Sequence, residues 1–248
     1  TWHREVNGAA GLRFRICGGG AGCGIICGME KMKQIMYGVT DFARIRAENG
    51  YFVDRTALIR ELERTSYALF LRPRRFGKSL LCSILQCYYD VDYADRFDEL
   101  FGGLDIGRDP TDERGKYLVL DFNFSQVVKD AAQVQESFNA YCSLRLDKFA
   151  RDHAARLPPD AAAAILAARA GHEKLGALAT MLKGSGVKLY VIIDEYDNFT
   201  NTILAESREG YEALCHGDGF FKQFFNELKA ATTGTDAPVT RLFVTGVT

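Results

Sequence analysis

The sequence predicts an α/β fold, a parallel sheet with helices on both faces. Three observations carry this. Short apolar runs of strand length recur at Tyr67–Leu71, Tyr117–Phe122, Lys188–Asp194 and Arg241–Thr245. Longer stretches between them repeat their apolar residues at helical spacing, and strands alternating with helices imply parallel pairing through crossover connections. Finally, 248 residues suffice for one large α/β domain or two small ones, and a chain of this size buries roughly 70–75% of its unfolded surface.

The first 31 residues stand apart. Eight of the 24 glycines and three of the seven cysteines (Cys17, Cys23, Cys27) fall there. Neither a helical period nor a long strand alternation is visible, so residues 1–31 are expected to lie outside the domain, disordered or upstream of the true start. No glycine triplet has the spacing of a dinucleotide fingerprint after a strand. The cysteine spacings of six and four, with only His3 nearby, make a weak metal pattern. Glycine interrupts every apolar run that could serve a signal peptide, and no stretch is long enough to span a bilayer.

From Met32 to Thr248 the pattern is that of the domain. Residues 38–53 read as a short extended piece. A helix should begin near Asp54, which can cap it, with Leu58, Ile59 and Leu62 as its apolar stripe. Tyr67–Leu71 reads as a buried strand, followed by the loop Arg72–Gly77. Leu80, Leu81, Ile84, Leu85 and Tyr88 place a helix after the loop. The second strand leads into a long helical region broken at Pro158 and Pro159 and restarted by the alanine-rich stretch from Asp160. The third strand is the most apolar. Helices rich in Phe and Leu, then a Gly/Asp/Pro loop, precede the fourth.

Composition narrows the function. Hydrophobic residues make up 47% and charged residues 25%, which excludes a disordered, collagen-like or coiled-coil chain. Lys+Arg total 31 against 32 Asp+Glu. A sequence-independent nucleic-acid binder is usually basic, because it must neutralise phosphates. The odd cysteine count, without regular spacing or a signal, points to reduced thiols and a cytoplasmic location. Cys82 and Cys87 read as core residues. The four histidines share no spacing with a nucleophile or ligand set, and read as surface or packing residues.

The loop carries the chemistry. Strand, tight turn, then Gly77-Lys78-Ser79 opening a helix is the order of a phosphate-binding loop. Arg72, Pro73, Arg74, Arg75, Phe76, Gly77, Lys78, Ser79 and Leu80 are the expected ATP-binding residues. Gly77 lets backbone approach a phosphate, Lys78 neutralises the β- and γ-phosphates, and Ser79 offers a hydroxyl to Mg²⁺. The usual pattern has glycine where Arg72 stands, so Arg72 needs a negative φ or tolerated strain. Alone, the segment also reads as a solvated basic loop.

The third strand ends Ile193-Asp194-Glu195. An acid at that position holds Mg²⁺ in P-loop ATPases, and the next acid can orient and deprotonate the attacking water. Asp194 is the expected metal residue beside Ser79, and Glu195 the expected catalytic base. A metal-dependent nuclease also gathers acids at strand ends, but Asp197 stands where its lysine would be. Thr245, ending the fourth strand, is expected to contact the γ-phosphate or the lytic water. Asp121 reads equally as functional or as solvated.

GVTDFARIRAENGYFVDRT, LFLRPRRFGKSLL, FDELFGGLDI, VLDFNFS, LYVIIDEYDNF and RLFVTGVT together resemble the bacterial AAA-ATPase-like proteins, in order from about Met36 to Thr248. The resemblance implies a three-layer P-loop NTPase. It implies ATP bound through Lys78 and Ser79, Mg²⁺ at Asp194, and hydrolysis aided by Glu195. The fourth strand should insert between the first and third, placing Thr245 between Lys78 and Asp194. Members commonly continue beyond this point, often into a nuclease-like domain, so the domain is expected to be incomplete at its C-terminus and its Tyr67–Leu71 edge open. Three functions stay open: an ATPase driving conformational change, a nucleotide-dependent switch with little turnover, and the ATPase module of a nucleic-acid-processing protein. The partner expected is a nucleotide, without a membrane; nucleic acid could act through a further domain, and an oligomer has no sequence support.

Overall fold

A computed structural model describes residues 2–7, 13–18, 33–128, 130, 132–206, 211–212 and 219–247. Strands β1 (Trp2–Asn7) and β2 (Arg13–Gly18) pair antiparallel in a sheet of their own. The sequence reading saw no strand there; the alternation in β2 covers only Phe14 and Ile16. Cys23, Cys27, Cys215 and His216 lie outside the described residues.

The main sheet has four parallel strands: β3 (Tyr67–Leu71), β4 (Leu118–Asn123), β5 (Leu189–Asp194) and β6 (Val239–Gly246), in the order β3-β6-β5-β4. β6 thus inserts between β3 and β5, as expected. The two-residue period of the strands builds one core on each face. Leu118, Leu120 and Phe122 of β4 and Leu189, Val191 and Ile193 of β5 enter one core. Tyr117 beside β4, then Val119, Tyr190, Ile192 and Phe243 enter the other.

The second face is covered by α1 (Phe42–Ala47), α2 (Leu58–Leu62), α3 (Lys78–Tyr89) and α4 (Phe97–Phe101), with short α5 (Asp105–Arg108) beside them. The first face is covered by α6 (Val134–Asp152), α7 (Ala161–Ala167), α8 (Gly171–Leu182), α9 (Asn198–Glu206) and α10 (Phe220–Ala231). Among the described residues no helix is long and apolar enough to cross a membrane.

Three local expectations are corrected. α1 replaces an extended piece, because the Asp41 side chain accepts the Arg44 amide at 3.1 Å and caps it. α2 begins four residues after Asp54. The Asp54 carboxylate instead closes a turn on the Thr56 amide (2.9 Å) and hydroxyl (2.7 Å) and accepts the Asp105 amide, which competes with helix initiation. β3 is not buried: it is an edge strand, with Tyr67 48% and Leu69 60% exposed. Only Ala68 and Phe70 pack inward.

Candidate functional site

Parallel strands put all their carboxyl ends on one rim of the sheet, where α/β proteins place ligands. Four of the residues on this rim are Arg72 after β3, Asn123, Asp194 and Thr245.

The β3–α3 loop is shaped by two left-handed residues. Gly77 has φ 74 and Arg75 φ 68. Arg72 is not among the residues of positive φ, so the strain weighed for it falls on Arg75. The Arg72 side chain folds back along β3, donating to the Leu71 carbonyl at 3.1 Å and lying 5.1 Å over the Phe70 ring. Its contribution to the loop is its carbonyl. Lys78 donates to that carbonyl and to the Pro73 carbonyl, each at 3.1 Å. Lys78 is only 5% exposed, and among the described residues no carboxylate pairs with it.

Asp194 is the meeting point of the rim. Ser79 Oγ donates to its Oδ2 at 2.6 Å, and Thr245 Oγ1 to its Oδ1 at 3.0 Å. Asn123 Nδ2 approaches Oδ2 at 3.3 Å. The structure therefore brings together Ser79, Asp194 and Thr245 from three distant segments, with Lys78 opening the same helix. Glu195 follows at φ 53. Among the described residues its carboxylate has no protein partner, while its carbonyl accepts the Asn198 amide.

Sequence reasoning missed Asn123. Only the strand register sets it opposite Asp194, and no local signal marks it; its backbone amide donates to Tyr141 Oη at 2.6 Å, which fixes that end. Asp121 is no part of this group. It pairs with Arg145 of α6, whose Nε also donates to the Asp121 carbonyl.

A hydroxyl and a carboxylate in contact suit Mg²⁺, which takes one or two protein oxygens and otherwise waters and phosphates. Among the described residues no group of three or more His, Cys, Asp and Glu converges on a metal position, and Mg²⁺ with a nucleotide needs none. Cys82, one turn after Lys78, is a core thiol. Burial first, and then Asp194, pushes its pKa well up, which favours the neutral thiol of a core residue. Cys87 is pushed by burial to about 12.

Two cavities flank the loop. One of about 510 Å³ is mostly apolar, with Phe52, Val53, Phe76, Leu80, Leu81 and Phe243 in its wall. The other, about 340 Å³, lies between Arg74 and the start of α9 at Asp197 and Asn198.

A parallel sheet with a strand–loop–helix at its rim and an acid ending the strand two places away, beyond β6, is an arrangement found in nucleotide-binding α/β proteins. The comparisons agree. The profile of a family described as "Predicted AAA-ATPase" matches residues 36–248, and the chain belongs to that AAA-ATPase-like family. It is 27% identical over 192 residues to an "Uncharacterized protein in vnfD 5'region" of Azotobacter chroococcum mcd 1, a match covering 73% of this chain. The chain spans 34% of that relative's length. No solved structure matches.

Proposed function

We propose that this chain is a P-loop ATPase domain that binds ATP with Mg²⁺ on the Arg72–Leu80 loop and hydrolyses it to drive a conformational change. The observation that carries the reading is Lys78. A buried ammonium is costly unless an anion offsets it. Here two carbonyls hold it, and among the described residues no carboxylate does. It also opens a 12-residue helix after left-handed Gly77, where free backbone amides and the helix dipole favour an anion. A nucleoside triphosphate is the anion that also uses the neighbouring parts.

In this reading the phosphates lie on the loop amides with Lys78 against the β- and γ-phosphates. Ser79 and Asp194 would hold Mg²⁺, which when bound offsets phosphate charge. The base would lie in the 510 Å³ apolar cavity, whose wall includes Phe76 and Leu80 of the loop. Glu195, with its carboxylate unengaged among the described residues, would take a proton from the attacking water. Thr245, wholly buried, would hold Asp194 in register and face the terminal phosphate.

The test is phosphate release by the wild type and Glu195→Gln. A general base contributes typically 10²–10⁴-fold, so turnover should fall by roughly that factor with ATP binding kept. Wild-type protein that binds ATP without releasing phosphate would instead favour a nucleotide-dependent switch. Turnover unchanged in Glu195→Gln would remove Glu195 from the mechanism.

A further inference from the structure

Asp197 is used by none of the chemistry above, yet it is 6% exposed and ionisable. It stands directly before α9, where an aspartate usually accepts the helix's own first amides. Among the described residues its carboxylate accepts none of them; only its backbone carbonyl takes the Asn201 amide. Its carboxylate reaches 50 residues along the chain instead, and both oxygens lie 3.2 Å from the Val247 amide nitrogen just past β6. Asn201 Nδ2 completes the set at 2.7 Å.

Two further features make this a designed contact. The Tyr196 amide donates to the Thr245 carbonyl at 3.0 Å. Gly246 lies against the same turn: a Cβ there would sit 2.5 Å from Tyr196 Cε1 and 2.6 Å from Asp197 Oδ1, closer than atoms approach. Together with the Thr245–Asp194 side-chain bond, three ties stitch residues 194–197 onto residues 245–247. Glu195 sits inside that closed stitch in a left-handed conformation, φ 53. A non-glycine residue keeps such a φ only when its surroundings over-determine it.

We propose that Asp197 is a positioning residue: by holding the Val247 amide it locks the 194–197 turn to the end of β6 and so aims the Glu195 carboxylate. The proposal rests on the reading of Glu195 as the residue that activates water. Asp197 touches no substrate in it. Arg74 is a basic group in the wall of the 340 Å³ cavity that Asp197 also lines.

The experiment compares wild type, Asp197→Ala, Asp197→Asn and Gly246→Ala in the whole chain, each also combined with Glu195→Gln. Mg·ATP affinity is measured by calorimetry and turnover by phosphate release. Asp197→Ala should lower turnover about 10–100-fold with the Kd of ATP within about threefold of wild type, the range for one misplaced catalytic group. Asp197→Asn should keep most turnover, because its Oδ1 still accepts the Val247 amide and the Asn201 amide can rotate to match. On the Glu195→Gln background Asp197→Ala should cost less than about twofold, since residues acting through one another are not additive. Gly246→Ala, which pushes the turn off the strand while leaving Asp197 in place, should repeat the pattern, and it serves if Asp197→Ala does not fold. Full turnover in folded Asp197→Ala overturns the proposal. So does an equal loss on both backgrounds, or loss of ATP binding in step with turnover. Full turnover in Glu195→Gln alone would instead overturn the reading beneath it.

Discussion

At the scale of single residues, one carboxylate organises the site. Asp194 receives hydroxyls from both sides, Ser79 at 2.6 Å and Thr245 at 3.0 Å, although these residues are far apart in sequence. Removing the Thr245 hydroxyl leaves a buried carboxylate oxygen without that donor, which costs roughly 1–3 kcal/mol. Thr245→Val should therefore lower the stability of the nucleotide-free protein by about that amount in urea unfolding, and reduce turnover. Ser79, Lys78 and Gly77 were legible in sequence because they are contiguous and their spacing states a geometry: strand, turn, helix start. Asn123 was not, because nothing local marks an asparagine at a strand end; only the parallel β4–β5 register, Asn123 opposite Asp194, brings it there. The place of the left-handed non-glycine residue was also hidden. The sequence puts the anomaly at Arg72, whereas the loop turns at Arg75.

At the scale of elements, all four main-sheet strands were legible to within two residues, since each is an apolar run bounded by polar or turn residues. The helix starts were less so. α1 and α2 depend on whether Asp41 and Asp54 cap a helix or close a turn, and a single sequence does not say which amides an aspartate will meet. The far end of α3 gives a prediction of its own. Asp90 caps the following turn through the Asp92 amide at 3.0 Å. It is 4% exposed, and burial raises its pKa to about 7. The sign follows from linkage. Between the ordinary aspartate value and about 7 the folded state binds the proton and the unfolded state does not, so rising pH lowers stability across that window. Below it the group costs nothing; above it the cost is complete. Asp90→Asn keeps the capping acceptor and removes the titration. Its thermal midpoint should exceed wild type at pH 8, and the difference should shrink towards pH 4.

At the scale of the whole molecule, the sheet is asymmetric. Its β4 edge carries the Arg145 side chain, whose Nε occupies the Asp121 carbonyl. The β3 edge, with Leu69 60% exposed, has no neighbour strand among the described residues. An exposed apolar edge strand is a template for pairing with another chain. The protein should self-associate with rising concentration in sedimentation experiments, and Leu69→Lys should shift it towards monomer. An unchanged distribution would mean the edge is protected. The strand order was legible only through the family resemblance, because alternation of strands and helices states parallel pairing without fixing which strand lies beside which.

The central claim is that the β3–α3 loop holds a nucleotide through Lys78. Calorimetric titration of Mg·ATP into wild type and Lys78→Ala tests it most directly. Saturable binding by the wild type that disappears in folded Lys78→Ala is the result predicted. Equal binding by both proteins would contradict it.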